Sequence, residues 1–335
     1  MTSTIKDVAA AAGVSIGTVS KVINNSGYVS DKIRERVLLT ISLLNYKPNA
    51  VARSLKQAKT NMIGMAVEDI SNPYMTKIMK SVEDVANEME YSLIFCSHNN
   101  NPEQERKALE WLIEKRVDGI VMVPTGRKLD ELIVPNTIPV TLVDRRVENS
   151  RFDTVVHENI NTSITLVQHL YFHGFRKLLF IHGALGNSVE VERYEGITRA
   201  IELLGLDAET QAFLEVGVQI EAVSAAVRQK LEKDGLPDGI YATNHIALAG
   251  TIRALWEMEV NVPDEVGVVG FGDIDEYGIL RPRFTVAKED PYEVGKIAAE
   301  ILFERIETDR HLQQPKEFLV TPKLIIGTSC GTHTR

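Results

Sequence analysis

Between residues 62 and 271 the chain repeats one alternation, a short apolar β-rich run followed by a longer stretch with helical periodicity. The runs are Met62–Val67, Tyr91–Cys96, Gly119–Val123, Val140–Val143, Lys177–Ile181, Gly239–Thr243 and Val266–Phe271. The amphipathic stretches between them are 74–90, 102–115, 159–173, 189–204, 219–234 and 245–258. Parallel strands need a crossover, and a helical crossover covers a face of the sheet. This pattern therefore predicts a parallel sheet with helices on both faces. The stretch 61–335 exceeds one such unit, so two similar subdomains are expected, without a strict repeat in sequence.

The first sixty residues carry a different pattern. Thr4 and Asp7 make a capping-box-like start to a short Ala-rich helix over Ile5–Ala12, which Gly13 ends. Ser15 is a good N-cap, with its hydroxyl in reach of the Thr18 amide, for a second helix over Ile16–Asn24. Asn24-Asn25-Ser26-Gly27 breaks it. Ser30 caps a third helix over Asp31–Leu44, whose Ile33, Val37, Ile41 and Leu44 form one buried stripe. Val8, Val19, Val22 and Val37 close a miniature core around the small Ala9. Two short helices joined by a tight glycine-containing turn are the helix-turn-helix arrangement. Its second helix presents N-terminal residues to the major groove. That puts Ile16, Gly17 and Lys21 at base edges and Thr18 and Ser20 near phosphates, with Ser15 and Asn24 completing the DNA-facing set at the helix ends. Lys21 suits guanine O6/N7 and Ile16 a thymine methyl, while Gly17 has no side chain for readout.

Charge supports this assignment. The first sixty residues hold nine basic side chains against three acidic ones, a net +6, which leaves −15 on the rest of a chain whose total is −9. A basic head on an acidic body points to a polyanion as the head's partner.

Other classes are disfavoured. No apolar run approaches the roughly 20 residues of a membrane span, and MTSTIKDVAA lacks the features of a signal peptide, so the expected location is the cytoplasm. Cys96 and Cys330 stand in no disulfide or metal-ligand spacing, which suits a reducing compartment. Gly267-Val-Val-Gly-Phe-Gly is not a dinucleotide fingerprint, and neither a P-loop nor a GxSxG elbow occurs. His169 and His173, four apart on a predicted helix, lack a glutamate of the HExxH type and are expected to be surface residues. No catalytic residue, metal or cofactor is implied.

The run TIKDVAAAAGVSIGTVSKVINNSGYVSDKIRERVLLTISLLNYKPNAVARSLK resembles the DNA-binding domain of the LacI/GalR family of transcriptional regulators. The resemblance implies a homodimer on a near-palindromic double-stranded operator, and usually repression. It also gives meaning to residues 49–56, which resemble the family's hinge helix. Asn49, Ala52, Arg53, Leu55 and Lys56 would then meet DNA, with Leu55 as an apolar wedge in the minor groove. The body is similar to the family's sensor core through segments such as VEDISNPYMTKIMKSVEDVANEMEYSLIFCSHNNNPEQERKALEWLIEKRVDGIVMVP and ATNHIALAGTIRALWEMEVNVPDEVGVVGFGDID.

The implied architecture is an all-α helix-turn-helix domain (1–48), a hinge and linker (49–60), and an α/β periplasmic-binding-protein-like core. That core has two doubly wound parallel-sheet subdomains, 61–160 with 290–321 and 161–289 with 322–335. A small-molecule effector, a sugar or sugar derivative, would bind between them. Carried over motif by motif, its contacts are Ser71, Tyr74, Asp144, Arg145, Asn187, Arg193, His245 and Asp273. His245 departs from the family's T-N-D pattern. As a donor near two arginines it leaves open either an anionic ligand, such as a sugar acid or sugar phosphate, or a neutral sugar.

Overall fold

The computed structural model describes residues 3–46, 59–126, 128–129, 133–275, 277–308 and 314–331. The chain separates into two compact units, 1–60 and 61–335.

The small unit holds three helices, α1 (Ile5–Ala12), α2 (Ile16–Ile23) and α3 (Asp31–Leu43). Thr4 and Asp7 form a complete capping box, and the Ser15 side chain accepts from the Thr18 amide. Ser30 occupies the N-cap of α3, but its hydroxyl makes no cap bond. Val8, Ala9, Ala12, Val19, Val22 and Val37 are buried, with Ile33, Ile41 and Leu44 packed partly against them.

The large unit contains two six-stranded sheets. The first lobe is built on β1 (Met62–Val67), β2 (Ser92–Ser97), β3 (Gly119–Met122), β4 (Val140–Val143), β5 (Asp153–His157) and β11 (Glu317–Val320), in the order β11-β5-β4-β3-β1-β2. All its pairings are parallel. The second lobe is built on β6 (Leu178–His182), β7 (Ala212–Glu215), β8 (Gly239–Ala242), β9 (Gly267–Phe271), β10 (Thr285–Lys288) and β12 (Lys323–Ile325), in the order β12-β10-β9-β8-β6-β7. Here only β12 runs antiparallel, against β10.

Strand side chains alternate between faces, and each face has its own cover. In the first lobe Ile63, Met65 and Val67 join Val121 and Val123 beneath α4 (Pro73–Glu88) and α10 (Pro291–Thr308). Ala66, Ile120 and Met122 point the other way, to Leu109 and Leu112 of α5 (Pro102–Glu114). In the second lobe α6 (Ile160–Phe172) and α7 (Ser188–Leu204) cover Phe180, Tyr241 and Phe271. The opposite face, with Ile181, Ile240 and Val268, lies against α8 (Ile220–Asp234) and α9 (His245–Glu257). Fully burying a single Leu, Ile or Phe contributes about 1.5–3 kcal/mol, so these layers hold each lobe together.

The chain leaves the first sheet between β5 and α6, returns between β10 and α10, and crosses again between β11 and β12. The alternation of runs and helices anticipates seven strands, whereas β5, β7, β10, β11 and β12 lie outside it. β7, β11 and β12 are short edge strands with exposed positions, whose apolar runs are too brief to stand out. Among the described residues no helix is long and apolar enough to cross a membrane.

Candidate functional site

In the small unit α2 turns Val19 and Val22 inward and leaves Ile16, Gly17, Lys21 and Asn24 exposed. Ile16 is 45% exposed on the first turn, an apolar tip on a polar surface. The Ser15 hydroxyl is spent on the Thr18 amide (3.1 Å) and meets the Thr18 hydroxyl (2.9 Å). Ser20 is half-buried and accepts from Asn24 Nδ2 at 3.2 Å. Tyr28, 91% exposed on the loop after α2, is absent from the predicted set. A lone aromatic in a polar turn was the signal available for it. Asn49, Ala52, Arg53, Leu55 and Lys56 lie outside the described residues.

In the large unit the segments after the carboxyl ends of both sheets converge, which is where open parallel sheets bind ligands. The first lobe supplies Glu68 after β1, Asp144 and Arg145 after β4, and His157 at the end of β5. The second supplies Thr243 and His245 after β8, Gly272 after β9 and Arg193 from α7, with Glu289 on the segment leaving β10. Arg193, 4% exposed, sits at the centre. It donates from Nε to Asn159 Oδ1 (2.9 Å), from one terminal nitrogen to the Thr243 carbonyl (2.7 Å) and from the other to Glu289 Oε1 (2.6 Å). Its guanidinium carbon lies 3.5 Å from the centre of the Phe271 ring. Burial opposes its charge, but Glu289 and Glu190 outweigh that and raise its pKa.

Around this core lie groups that accept hydrogen bonds. Tyr74 Oη lies 3.1 Å from His157 Nδ1, and burial followed by the Asp144 carboxylate drives the phenol pKa well up. His157 Nε2 accepts from the Asp290 amide (3.2 Å), which puts the ring proton on Nδ1, toward Tyr74. Burial lowers the pKa of both His157 and His245 despite the nearby Glu289 carboxylate, so both rings are held neutral. Gly272 has φ +89°, and a Cβ there would stand 3.3 Å from both Glu289 Oε2 and His245 Cβ. A side chain there would crowd both residues, and the positive φ itself favours glycine.

The predicted residues divide. Tyr74, Asp144, Arg193 and His245 share one electrostatic cluster. Arg145 is buried and held by Glu68, Asn100 Oδ1 (2.7 Å) and the Pro124 carbonyl (3.1 Å). The Ser71 amide and hydroxyl both go to Asp69 at 2.8 Å. Asn187 caps α7 through the Glu190 amide (3.1 Å). Asp273 binds Lys288 Nζ (2.9 Å) and the Asp275 amide (2.9 Å), and although burial works against it, these bonds keep its pKa low. His157, Asn159, Glu190 and Glu289 were missed. Glu190 is buried and accepts from Thr243 and Asn244, both at 2.7 Å. A cavity of 350 Å³ lined by Pro135, Phe152 and Asp153 lies at the opposite, amino ends of the strands, and its Arg305 is held bidentately by Asp153 at 2.7 Å.

Residues 4–49 match the model for bacterial regulatory proteins of the lacI family, and residues 167–330 that for a periplasmic binding protein-like domain. The chain is 35% identical over 331 residues to the HTH-type transcriptional repressor PurR of Haemophilus influenzae (strain PittEE), covering 98% of both. The chain belongs to the lacI family. This lacI-family chain is also 33% identical over 305 residues to the ribose operon repressor of Halalkalibacterium halodurans, covering 91% of both. Among solved structures, a Lac repressor dimer bound to operator and the anti-inducer ONPF superposes with TM-score 0.88 at 22% identity, covering 99% of this chain and 100% of that one. A CelR–cellobiose complex gives TM-score 0.72 at 24% identity, covering 98% and 99%. As a member of this family the protein is a DNA-binding regulator of transcription, not an enzyme.

Proposed function

We propose that this regulator is a cytoplasmic repressor that binds a pseudo-palindromic operator as a homodimer, under control of a small hydroxyl-rich effector held between the lobes of its sensor. The observation that carries the reading is the convergence of both sheets' carboxyl ends on the Arg193–Glu289 pair, with Tyr74, Asp144 and His245 around it. α2 enters the major groove with Ile16, Gly17 and Lys21 at base edges, while Ser15, Thr18, Ser20 and Asn24 support phosphate contacts. Residues 49–56 act as the hinge, with Asn49, Ala52, Arg53 and Lys56 beside the Leu55 wedge. Structural neighbours described with cellobiose and with ribose support a carbohydrate class for the effector.

The cleft favours a neutral ligand over a sugar acid or sugar phosphate. Arg145 is paired with Glu68, Arg193 with Glu289 and Lys288 with Asp273, so an anion would have to displace a resident carboxylate. Asp144 and the neutral His245 imidazole suit hydroxyl donors.

Selection of binding sites from random duplex DNA by the purified full-length chain tests the reading. A pseudo-palindrome with fixed half-site spacing is expected, with neutral sugars changing its affinity more than their acids do. Binding without an enriched motif, fading with salt alone, would overturn it.

A further inference from the structure

One arginine joins the two lobes beside the cleft. Arg146 follows β4 in the first lobe. Its Nε and one terminal nitrogen donate to Glu317 of β11, in the same lobe, at 2.9 and 3.0 Å. Its other terminal nitrogen lies 2.5 Å from Glu192 Oε2 on α7, in the second lobe. The Arg146 amide also crosses over, donating to the Ser188 hydroxyl at 2.7 Å. Burial works against the Arg146 charge, but Glu317 and Glu192 outweigh it and raise the pKa.

Glu192 carries the connection onward. Its Oε2 accepts from Asn159 Nδ2 at 2.9 Å, and Asn159 Oδ1 accepts from Arg193 Nε at 2.9 Å. The side chains Glu317, Arg146, Glu192, Asn159, Arg193 and Glu289 are thus joined in sequence by charge-assisted hydrogen bonds. They run from an edge strand of one lobe, past the first crossover, into the cleft. The two ends of the Asn159 amide face opposite charges, donor to carboxylate and acceptor to guanidinium. Neither neighbour can move without altering the bond to the other. The Arg193–Glu289 pair is 4% and 9% exposed, while Arg146 and Glu192 are 29% and 12% exposed, so the inter-lobe bond is the more readily hydrated link.

We propose that Arg146 and Glu192 form a clasp that sets the spacing of the two lobes, and that Asn159 transmits to it the hydrogen-bonding state of Arg193. A ligand hydroxyl competing for Arg193 shifts the Asn159 amide, which in turn weakens or strengthens the hold on Glu192. These are differential contacts of the kind a two-state coupling requires. The transmission step rests on the cleft being the effector site. The clasp does not.

The test uses the full-length chain with spin labels at exposed positions 107 and 232, one in each lobe, introduced as Lys107→Cys and Glu232→Cys in a Cys96→Ser background. Arg146→Gln and Glu192→Gln are each expected to lengthen or broaden the inter-lobe distance distribution. Each should also change affinity for the selected operator about 5-fold or more, in a common direction. The double variant should go no further than the larger single one. A lower melting temperature with unchanged distance and operator affinity would reduce both residues to a structural role and overturn the clasp, as would strictly additive effects. Asn159→Asp places a carboxylate against Glu192 and should reproduce the opening. Distances like those of the parent protein would remove the transmission step. If the selected operator's response to sugars survives Arg193→Met, the cleft assignment fails while the distance measurements still decide the clasp.

Discussion

Replacing Arg193 by methionine keeps an unbranched apolar stem of similar reach to the arginine Nε and removes the guanidinium. Three acceptors lose their donor at once, the Asn159 amide oxygen, the Thr243 carbonyl and Glu289. Glu289 matters most because it is 9% exposed and its opposite charge is gone. Removing one partner of a buried pair typically costs about 3–5 kcal/mol, because the other charge is left uncompensated. In a domain of this size 1 kcal/mol moves the midpoint by about 2–4 °C, so Arg193→Met should lower the sensor's melting temperature by about 6–20 °C. Glu289→Gln in the same chain removes the stranded charge. The double variant should then recover about 0.5–3 kcal/mol relative to the sum of the single losses. Thermal and urea unfolding of the four proteins give this coupling directly. Strict additivity, or a shift of 2 °C or less for Arg193→Met, would refute the electrostatic picture of the cleft.

Three further outcomes follow from local geometry. A Cβ on Gly295 would stand 2.1 Å from Ser81 Oγ and 2.6 Å from the Ile78 carbonyl oxygen, so Gly295→Ala should cost about 1–3 kcal/mol in urea unfolding; adding Ser81→Ala should not rescue it, because the backbone contact persists. His98 is fully buried, its Nε2 lies 2.9 Å from the Val123 carbonyl, and burial lowers its pKa to about 4. The unfolded chain takes up that proton near pH 6.5 while the folded one resists until about 4, so stability is retained above 6.5 and lost as pH falls between those values. Each pKa unit is worth about 1.4 kcal/mol, and His98→Gln, which keeps a donor for Val123, should lose about 3 kcal/mol less over that interval in unfolding titrations. Ser15→Ala removes the cap of α2 and should cost the small unit about 1 kcal/mol, measured by its amide-exchange protection, with Thr4→Ala a matched control on α1.

The helix-turn-helix unit was legible because its signals are local. Caps act within three or four residues, and the apolar positions of α1, α2 and α3 repeat over short helices, so Val8, Val19, Val22 and Val37 follow from spacing. The parallel sheets were legible where a buried central strand is an uninterrupted apolar run, as in Ile120–Met122 or Val268–Phe271, but not in the equally buried β5, whose run is broken by Asp153, Thr154 and His157. Edge strands such as Glu317–Val320 escaped because they are short and one face meets solvent. The cleft was only half legible, for a different reason. Motif position identifies Tyr74, Asp144, Arg193 and His245 one residue at a time. It says nothing about which carboxylate from another crossover neutralises which guanidinium.

That missing pairing decides the chemistry of the cleft. Read alone, two arginines and a histidine leave an anionic and a neutral ligand equally open. Glu289 is 96 residues from Arg193 and Glu68 is 77 from Arg145, so neither partner can be inferred from local pattern. Once they are in place, each guanidinium is already matched by a carboxylate. An entering anion gains an ion pair only by breaking one that is already desolvated and hydrogen-bonded, and it strands the displaced carboxylate in a poorly hydrated site. A hydroxyl faces no such exchange. It can donate to Asp144 or to the His245 imidazole and accept from the N–H groups Arg193 has not used. Beside that pairing Arg193 also holds Asn159, so the guanidinium at the centre of the cleft is the one connected to the lobe-spanning Arg146.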